Sequence, residues 1–130
     1  MGFASTHKLP ILFVCEDNDL SILTHTEVRR NWNIVDVAKA FKMEAVDIGD
    51  DPWLIAYHTR ELVKNLPALI NCRTCRHYWH VGGGVDGPPE WNRLVMIRQE
   101  LEGLGIKYKD VEEKTKRETK RLWEKHLQIR

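Results

Sequence analysis

Three short apolar runs constrain the fold of this chain more than any other feature. They are LPILFVC at 9–15, MEAVDIG at 43–49 and ALINCRT at 68–74. Short runs of this kind are typical of strands buried in a parallel sheet. Helical patterns separate the runs, and two more follow the third run. The order of elements therefore predicts an α/β fold.

The segments around the runs carry the helix signals. Asp51 and Pro52 suit the N-cap and first position of a helix, and Pro67 would stop it. Residues 20–33 are mixed and basic, and we expect a loop there. Helices are predicted at 36–41, 52–66, 90–104 and 109–127.

The predicted sheet is small, with three strands in a chain of 130 residues. That length suits one domain, and we expect residues 1–130 to form it. A parallel sheet needs both faces covered and its edges paired. The chain therefore is expected to hold part of a sheet and to associate with a partner.

Composition excludes several classes of protein. A net charge of +1 argues against a general binder of nucleic acid or of anionic membranes. No apolar run approaches the roughly 18 residues of a membrane span, and the N-terminus has no export signal. Three cysteines without a secretory context indicate a cytoplasmic protein with reduced thiols.

The stretch CRTCRHYWH at 72–80 places two cysteines and two histidines close together, as a zinc module would. Alternation along a strand puts Cys72 and Cys75 on opposite faces, and Arg-Thr between them offers no tight turn. His77 and His80 follow too closely for the usual finger spacing. A Cys/His zinc module remains an alternative, and delivery of the histidines into a cleft is favoured.

Polar clusters follow each predicted strand, at 16–19, 47–51 and 76–80. In an open α/β sheet, ligands bind outside the carboxyl ends of the strands. The carboxylate and amide oxygens of the first cluster suit Mg²⁺ or Ca²⁺. A capped turn without a ligand is the structural alternative for that cluster.

Three longer segments carry a family resemblance: FASTHKLPILFVCEDNDLSI at 3–22, VDIGDDPW at 46–53 and INCRTCRHYWHVGGGVDGPPEW at 70–91. In this order they resemble three segments of one family, the alpha subunit of thiamine-diphosphate-dependent 2-oxo acid dehydrogenases, such as the pyruvate, branched-chain and acetoin dehydrogenases. The family segments are the LPVIFVCENN strand and turn, the VDGxD turn and the TYRxxxHxxxD segment. The closing helices match in length and placement. The resemblance implies the C-terminal half of a thiamine-diphosphate-binding domain, a partial parallel sheet flanked by helices and ending in two helices.

The resemblance also implies cofactors and site residues. Thiamine diphosphate and Mg²⁺ would be the cofactors. Asn18 would bind the metal through its side chain and Leu20 through its backbone carbonyl. His80 matches the family's active-site histidine, which lies over the diphosphate and the reaction channel. The further cofactor-binding positions implied are Ser21, Ile22 and Arg76, together with His80.

The sequence departs from the family pattern at several points. Asp17 stands where the family has the first Asn of ENN, and Cys75 stands where it has the Tyr of TYR. The GDG motif, whose Asp is another metal ligand in the family, is absent from the sequence. We therefore expect that a separate polypeptide carries the GDG-bearing N-terminal half, or that this half has been lost. The glutamate that activates the cofactor would come from a beta-type subunit.

The resemblance predicts a function for the whole assembly. The chain would be one subunit of a cytoplasmic enzyme, inactive alone, that decarboxylates a 2-oxo acid oxidatively or performs a related carboligation. Nucleic acid and membranes are not expected partners. The alternative is a non-catalytic remnant, or structural subunit, that keeps the fold without the site.

Overall fold

The computed structural model describes residues 1–78, 80–81 and 87–127. Residues 82–86 of the glycine-rich stretch therefore lie outside the described residues. The chain divides into two compact units, Met1–Trp91 and Asn92–Arg130. The assignment of one domain stays a prediction.

The elements of the first unit alternate between strands and helices. In chain order they are α1 (Gly2–Thr6), β1 (Leu12–Asp17), β2 (Leu20–Ser21), β3 (Thr24–His25), α2 (Thr26–Arg29), α3 (Ile34–Ala40), β4 (Glu44–Gly49), α4 (Pro52–Leu62), β5 (Ala68–Arg73) and a 3₁₀ helix (Pro89–Trp91). The second unit contains α5 (Arg93–Gly103) and α6 (Lys109–Leu127).

The first unit is built on a parallel sheet with strand order β1-β5-β4. Ile70 in the central strand is in register with Val14 of β1 and Val46 of β4. The prediction of an α/β fold with a three-stranded parallel sheet, flanked by helices and ending in two helices, is confirmed. All three strands present their carboxyl ends at the same edge.

The two long connections cover opposite faces of the sheet. The chain passes from β1 across to β4 and then returns to β5 between them. Right-handed crossovers in opposite directions place their helices on opposite faces. Val35 and Ala38 of α3 accordingly pack with Leu69, whereas Leu62 of α4 packs with Ile70.

The face that α4 covers is incomplete over β1. Ile70 in β5 is 0% exposed, but its register partner Val14 in β1 is 55% exposed. Since parallel sheets normally have both faces covered, this part of the face is an unusual exposure of apolar surface.

The outer edge of β1 is also open. Within the described residues, β1 pairs in the sheet with β5 alone. The carbonyls of Ile11 and Asp17 accept hydrogen bonds from the amides of Ala68 and Thr74. Because backbone groups alternate sides along a parallel strand, Val14 directs its own amide and carbonyl to the open edge.

Two helices begin directly after a polar residue whose side chain caps the first turn. The Asp51 carboxylate accepts from the amides of Trp53 and Leu54, at 2.8 and 3.1 Å, so the predicted N-cap is confirmed. The Asn33 side chain accepts from the amide of Asp36 at 2.8 Å, and α3 therefore begins at Ile34, two residues before the predicted start.

The prediction of a loop over 20–33 is wrong. This segment contains the antiparallel hairpin β2–β3 and the short helix α2. Each of these strands has only two residues, which is too few to show the alternation of apolar and polar residues that identifies a strand in a sequence.

The second unit is a pair of helices joined by polar contacts. Arg98 of α5 forms a two-pronged ion pair with Glu112 of α6, at 2.6 and 3.1 Å. This hydrogen bonding lowers the pKa of the Glu112 carboxyl. The Tyr108 hydroxyl donates to Glu102 at 2.8 Å.

None of the described helices is both long and apolar enough to cross a membrane.

Candidate functional site

Several of the residues singled out in the sequence lie at the carboxyl edge of the sheet. Because β1 and β5 are neighbours, the turn after β1 lies beside the segment that leaves β5. The amide of Thr74 donates to the carbonyl of Asp17 at 3.0 Å. Beyond it, Nη1 of Arg76 donates to the carbonyl of Ile22 at 2.5 Å. Two of the predicted cofactor-binding residues are thus in direct contact.

The turn after β1 is fixed by its own side chains. Oδ1 of Asp17 accepts from the amide of Asp19 at 3.1 Å, and Oδ1 of Asn18 accepts from the amide of Leu20 at 3.0 Å. Such contacts two residues onward are Asx turns. Asp19 has a φ of 60°, a left-handed conformation that Asp tolerates better than most residues. Asn18 and Leu20 therefore have a defined mutual orientation.

The extra carboxylate in this turn is neutralised by an ion pair. Nη2 of Arg30 lies 3.1 Å from Oδ2 of Asp17, and both side chains are about four-fifths buried. The Arg30 guanidinium also lies 4.8 Å from the centre of the Trp32 ring. The sequence does not predict the contacts of Arg30 with Asp17 and Trp32, because no spacing rule joins Arg30 to a residue 13 positions earlier in a segment of undefined structure.

A second polar contact closes the hairpin on the turn. Oδ2 of Asp19 lies 2.8 Å from Nδ1 of His25, and the amide of Thr26 donates to the Asp19 carbonyl at 2.9 Å. The hydrogen bond from His25 is the main cause of a lowered pKa of the Asp19 carboxyl. Asp19 therefore joins the two ends of the hairpin segment.

We expect this closure to weaken in acid. A carboxyl whose pKa is lowered by folding stabilises the folded state above its unfolded pKa, about 3.9 for Asp, and loses that effect as pH falls through the folded value. Carbon-13 NMR of the Asp19 carboxyl should give a pKa below the ordinary value. His25→Ala should raise it, whereas His7→Ala, which removes an exposed His elsewhere, should not. Titration of Asp19 at the ordinary value would contradict the closure.

A cleft of about 330 Å³ opens beside the turn. It contains both predicted metal ligands, and its lining residues are Cys15, Glu16, Asp17, Asn18, Leu20, Thr26, Arg29, Arg30 and Trp32. Burial, followed by the carboxylate of Asp17, raises the pKa of the Cys15 thiol. Since the thiolate is the nucleophilic form, Cys15 is not an activated nucleophile at neutral pH. The cleft is suited to binding through oxygen and guanidinium groups.

The carboxyl ends of β4 and β5 are tied together beside this region. Oδ1 of Asp47 accepts a hydrogen bond from the side-chain amide (Nδ2) of Asn71 at 3.0 Å and lies 3.3 Å from Nε of Arg73. The Thr74 hydroxyl donates to Asp50 at 3.0 Å. These contacts fix the point at which the chain leaves the sheet and turns towards the hairpin.

The cysteines and histidines of 72–80 are dispersed. Cys72 is buried in the core beneath α4, and its thiol lies 3.7 Å from the Gly49 carbonyl. Cys75 is beyond the end of β5, and His80 is exposed. Across residues 1–78, 80–81 and 87–127, no three His, Cys, Asp or Glu side chains form a group that could hold a metal ion.

The predicted site residues thus fall into two sets. Asn18 and Leu20 line the cleft, and Arg76 contacts Ile22 of the neighbouring hairpin. Ser21 lies in β2 between these groups. His80 follows β5 in the sequence and is exposed, and no hydrogen bond or ion pair joins it to another of the described residues.

Comparison of the chain with protein-family models, with curated proteins and with solved structures finds no match. The resemblance to the alpha subunit of thiamine-diphosphate-dependent dehydrogenases therefore rests on the quoted segments and on the chemistry of the residues within them.

Proposed function

We propose that the chain is the C-terminal half of the diphosphate-binding domain of a thiamine-diphosphate-dependent enzyme. The substrate is a 2-oxo acid, which the assembled enzyme decarboxylates oxidatively or uses in a related carboligation. The observation that carries this proposal is the contact of Arg76 with Ile22 at the carboxyl edge. It unites two motif segments that are 54 residues apart in the sequence and that the resemblance assigns to one cofactor site.

The donors around the turn suit Mg²⁺ bound to a diphosphate. Amide and backbone carbonyl oxygens are ligands that Mg²⁺ accepts. Oδ1 of Asn18 uses one lone pair for the Leu20 amide and retains a second for a metal. Arg29 lines the same cleft, and a guanidinium pairs well with phosphate oxygens. Asn18 and the Leu20 carbonyl would therefore hold the metal, with the remaining protein ligand supplied from the GDG-bearing half.

The cofactor, when bound, supplies the electron sink for decarboxylation, and the protein supplies orientation and electrostatics. In this proposal, His80 donates a hydrogen bond to a developing oxyanion or moves a proton there. Its exposure in the chain alone is consistent with a residue that faces a channel completed by other subunits.

The open edge of β1 supports a partner. Among the described residues, no strand pairs with the edge at Val14, and the adjoining face exposes the Val14 side chain. A parallel strand followed by a helix would satisfy both, because the strand pairs with the edge and the helix covers the face. We propose that the GDG-bearing polypeptide supplies this unit, and that a beta-type subunit supplies the activating glutamate.

The non-catalytic remnant remains the second candidate, and the absence of a GDG motif from the sequence favours it. The presence of Asp17 in place of the family's Asn does not favour it. Asp17 caps the turn through Oδ1, and its charge is met by Arg30. The turn therefore keeps a defined geometry, and Arg30 offsets its added charge.

Calorimetry and co-expression test the proposal. The purified chain should show no tight binding of Mg²⁺ with thiamine diphosphate, because ligands are missing. Co-expressed with a GDG-bearing half and a beta-type subunit, it should bind the cofactor and release CO₂ from a 2-oxo acid. Asn18→Ala should weaken cofactor binding in the complex by about tenfold or more, as removal of a metal-site residue does.

Asn31→Ala is the matched control, because Asn31 is exposed just beyond α2 and does not line the cleft. Tight stoichiometric binding by the chain alone would contradict a divided site. A stable complex without CO₂ release, in which Asn18→Ala changes nothing, would favour the remnant.

A further inference from the structure

The β2–β3 hairpin has an unfavourable residue at its turn. Leu20 pairs with His25 and Ser21 with Thr24, so the loop consists of two residues, Ile22 and Leu23. Ile22 has a φ of 57°. Positive φ at this position of a two-residue hairpin normally requires Gly, and a β-branched residue there is an outlier.

Local packing does little to enforce this conformation. The side chains of Ile22 and Leu23 are 57% and 58% exposed, and the hairpin has only the two residue pairs. A strained residue persists only when its surroundings hold it. The structure must therefore hold the turn through contacts from outside the hairpin.

Arg76 makes such a contact. Its Nη1 atom donates to the carbonyl of Ile22 itself, at 2.5 Å, from the segment that follows β5. A hydrogen bond from a charged donor is roughly twice as strong as one between neutral groups. The start of that segment is fixed, because Thr74 is bonded to both Asp17 and Asp50. Arg76 therefore reaches the turn from an anchored part of the chain.

We propose that Arg76 is a positioning residue, which holds the hairpin turn in its left-handed conformation through the Ile22 carbonyl. By fixing the turn, it fixes the hairpin whose first residue, Leu20, donates its backbone amide to Oδ1 of Asn18. The contact of Arg76 with the Ile22 carbonyl, called the latch below, is a property of the chain without any ligand. Only the identity of the ligand bound beside this hairpin rests on the proposed function.

Hydrogen exchange of the hairpin amides tests the latch in the 130-residue chain. Arg76→Met removes the donors and keeps an unbranched apolar side chain in place of the Arg stem. It should speed exchange of the amides at 20–25 by about tenfold or more, the factor expected for loss of a charged hydrogen bond. Ile22→Gly added to Arg76→Met should slow this exchange again, because Gly adopts positive φ without steric cost.

Arg73→Met is the matched control. Arg73 lies at the end of β5 and pairs with Asp47, so its replacement should leave the hairpin amides unchanged. If Arg76→Met prevents folding, Arg76→Gln, which removes the charge and shortens the side chain but keeps it polar, replaces it in the same comparison. Unchanged exchange in the Arg76 variant, or failure of Ile22→Gly to slow it, overturns the latch. Cofactor calorimetry judges the proposed function separately, since the exchange measurement involves no cofactor.

Discussion

Gly87→Ala should destabilise the first unit by about 1–3 kcal/mol, the range found for overpacked sites. A Cβ atom at Gly87, which is buried, would lie 2.7 Å from the Arg76 carbonyl oxygen and 2.7 Å from Sγ of Cys75. The thiol can rotate away, but the carbonyl belongs to the backbone. The segment at Arg76 must therefore shift, and the contact with Ile22 should weaken with it. Urea unfolding and exchange of the hairpin amides measure the two effects.

Gly49→Ala is the matched control for this prediction. Gly49 ends β4 at the same edge of the sheet, and a Cβ there would meet nothing within 4 Å. Its replacement should change stability by less than about 0.5 kcal/mol, as at other unobstructed sites. Equal effects of the two variants would show that the close approach at Gly87 is not what constrains the segment. Cys75→Ala added to Gly87→Ala should restore little, because the backbone collision remains.

The sheet was predictable because its signals are local. Each apolar run is short, branched and bounded by polar residues, and these features identify a buried strand without knowledge of its neighbours. The start of α4 is predictable for the same reason, since Asp51 and Pro52 are cap residues acting within one turn. Strand order is different, because it depends on how the connections cross the sheet.

The hairpin was not predictable because its stability is non-local. Its turn has Ile22 where the usual signal is Gly or Asn, so sequence rules give no reason to expect a turn. The contact that holds it comes from Arg76, and the charge of Asp17 is met by Arg30. Residue types predicted that polar segments follow the strands at the carboxyl edge of the sheet. They could not predict which side chains orient the others.

Ile70→Thr should destabilise the chain by about 2–4 kcal/mol, because it leaves a cavity and buries a hydroxyl in an apolar cluster. Ile70 is 0% exposed in the central strand, between β1 and β4. Val14→Thr makes a similar change at the in-register position of β1, on the same face. Thr keeps the β-branched shape, and Val14 is 55% exposed, so the cost should stay below about 0.5 kcal/mol.

The same pair of variants reports on the open edge when a partner is present. If a strand and helix from the GDG-bearing half cover β1, Val14 becomes a buried residue in the complex. Val14→Thr should then weaken the complex measurably, although the chain alone tolerates it. Comparing urea unfolding of the chain with the dissociation constant of the complex separates the two states. A Val14 variant that costs as much as Ile70→Thr in the chain alone would mean that the face is already covered. If Val14→Thr changes neither the unfolding of the chain nor the dissociation constant of the complex, the partner binds elsewhere.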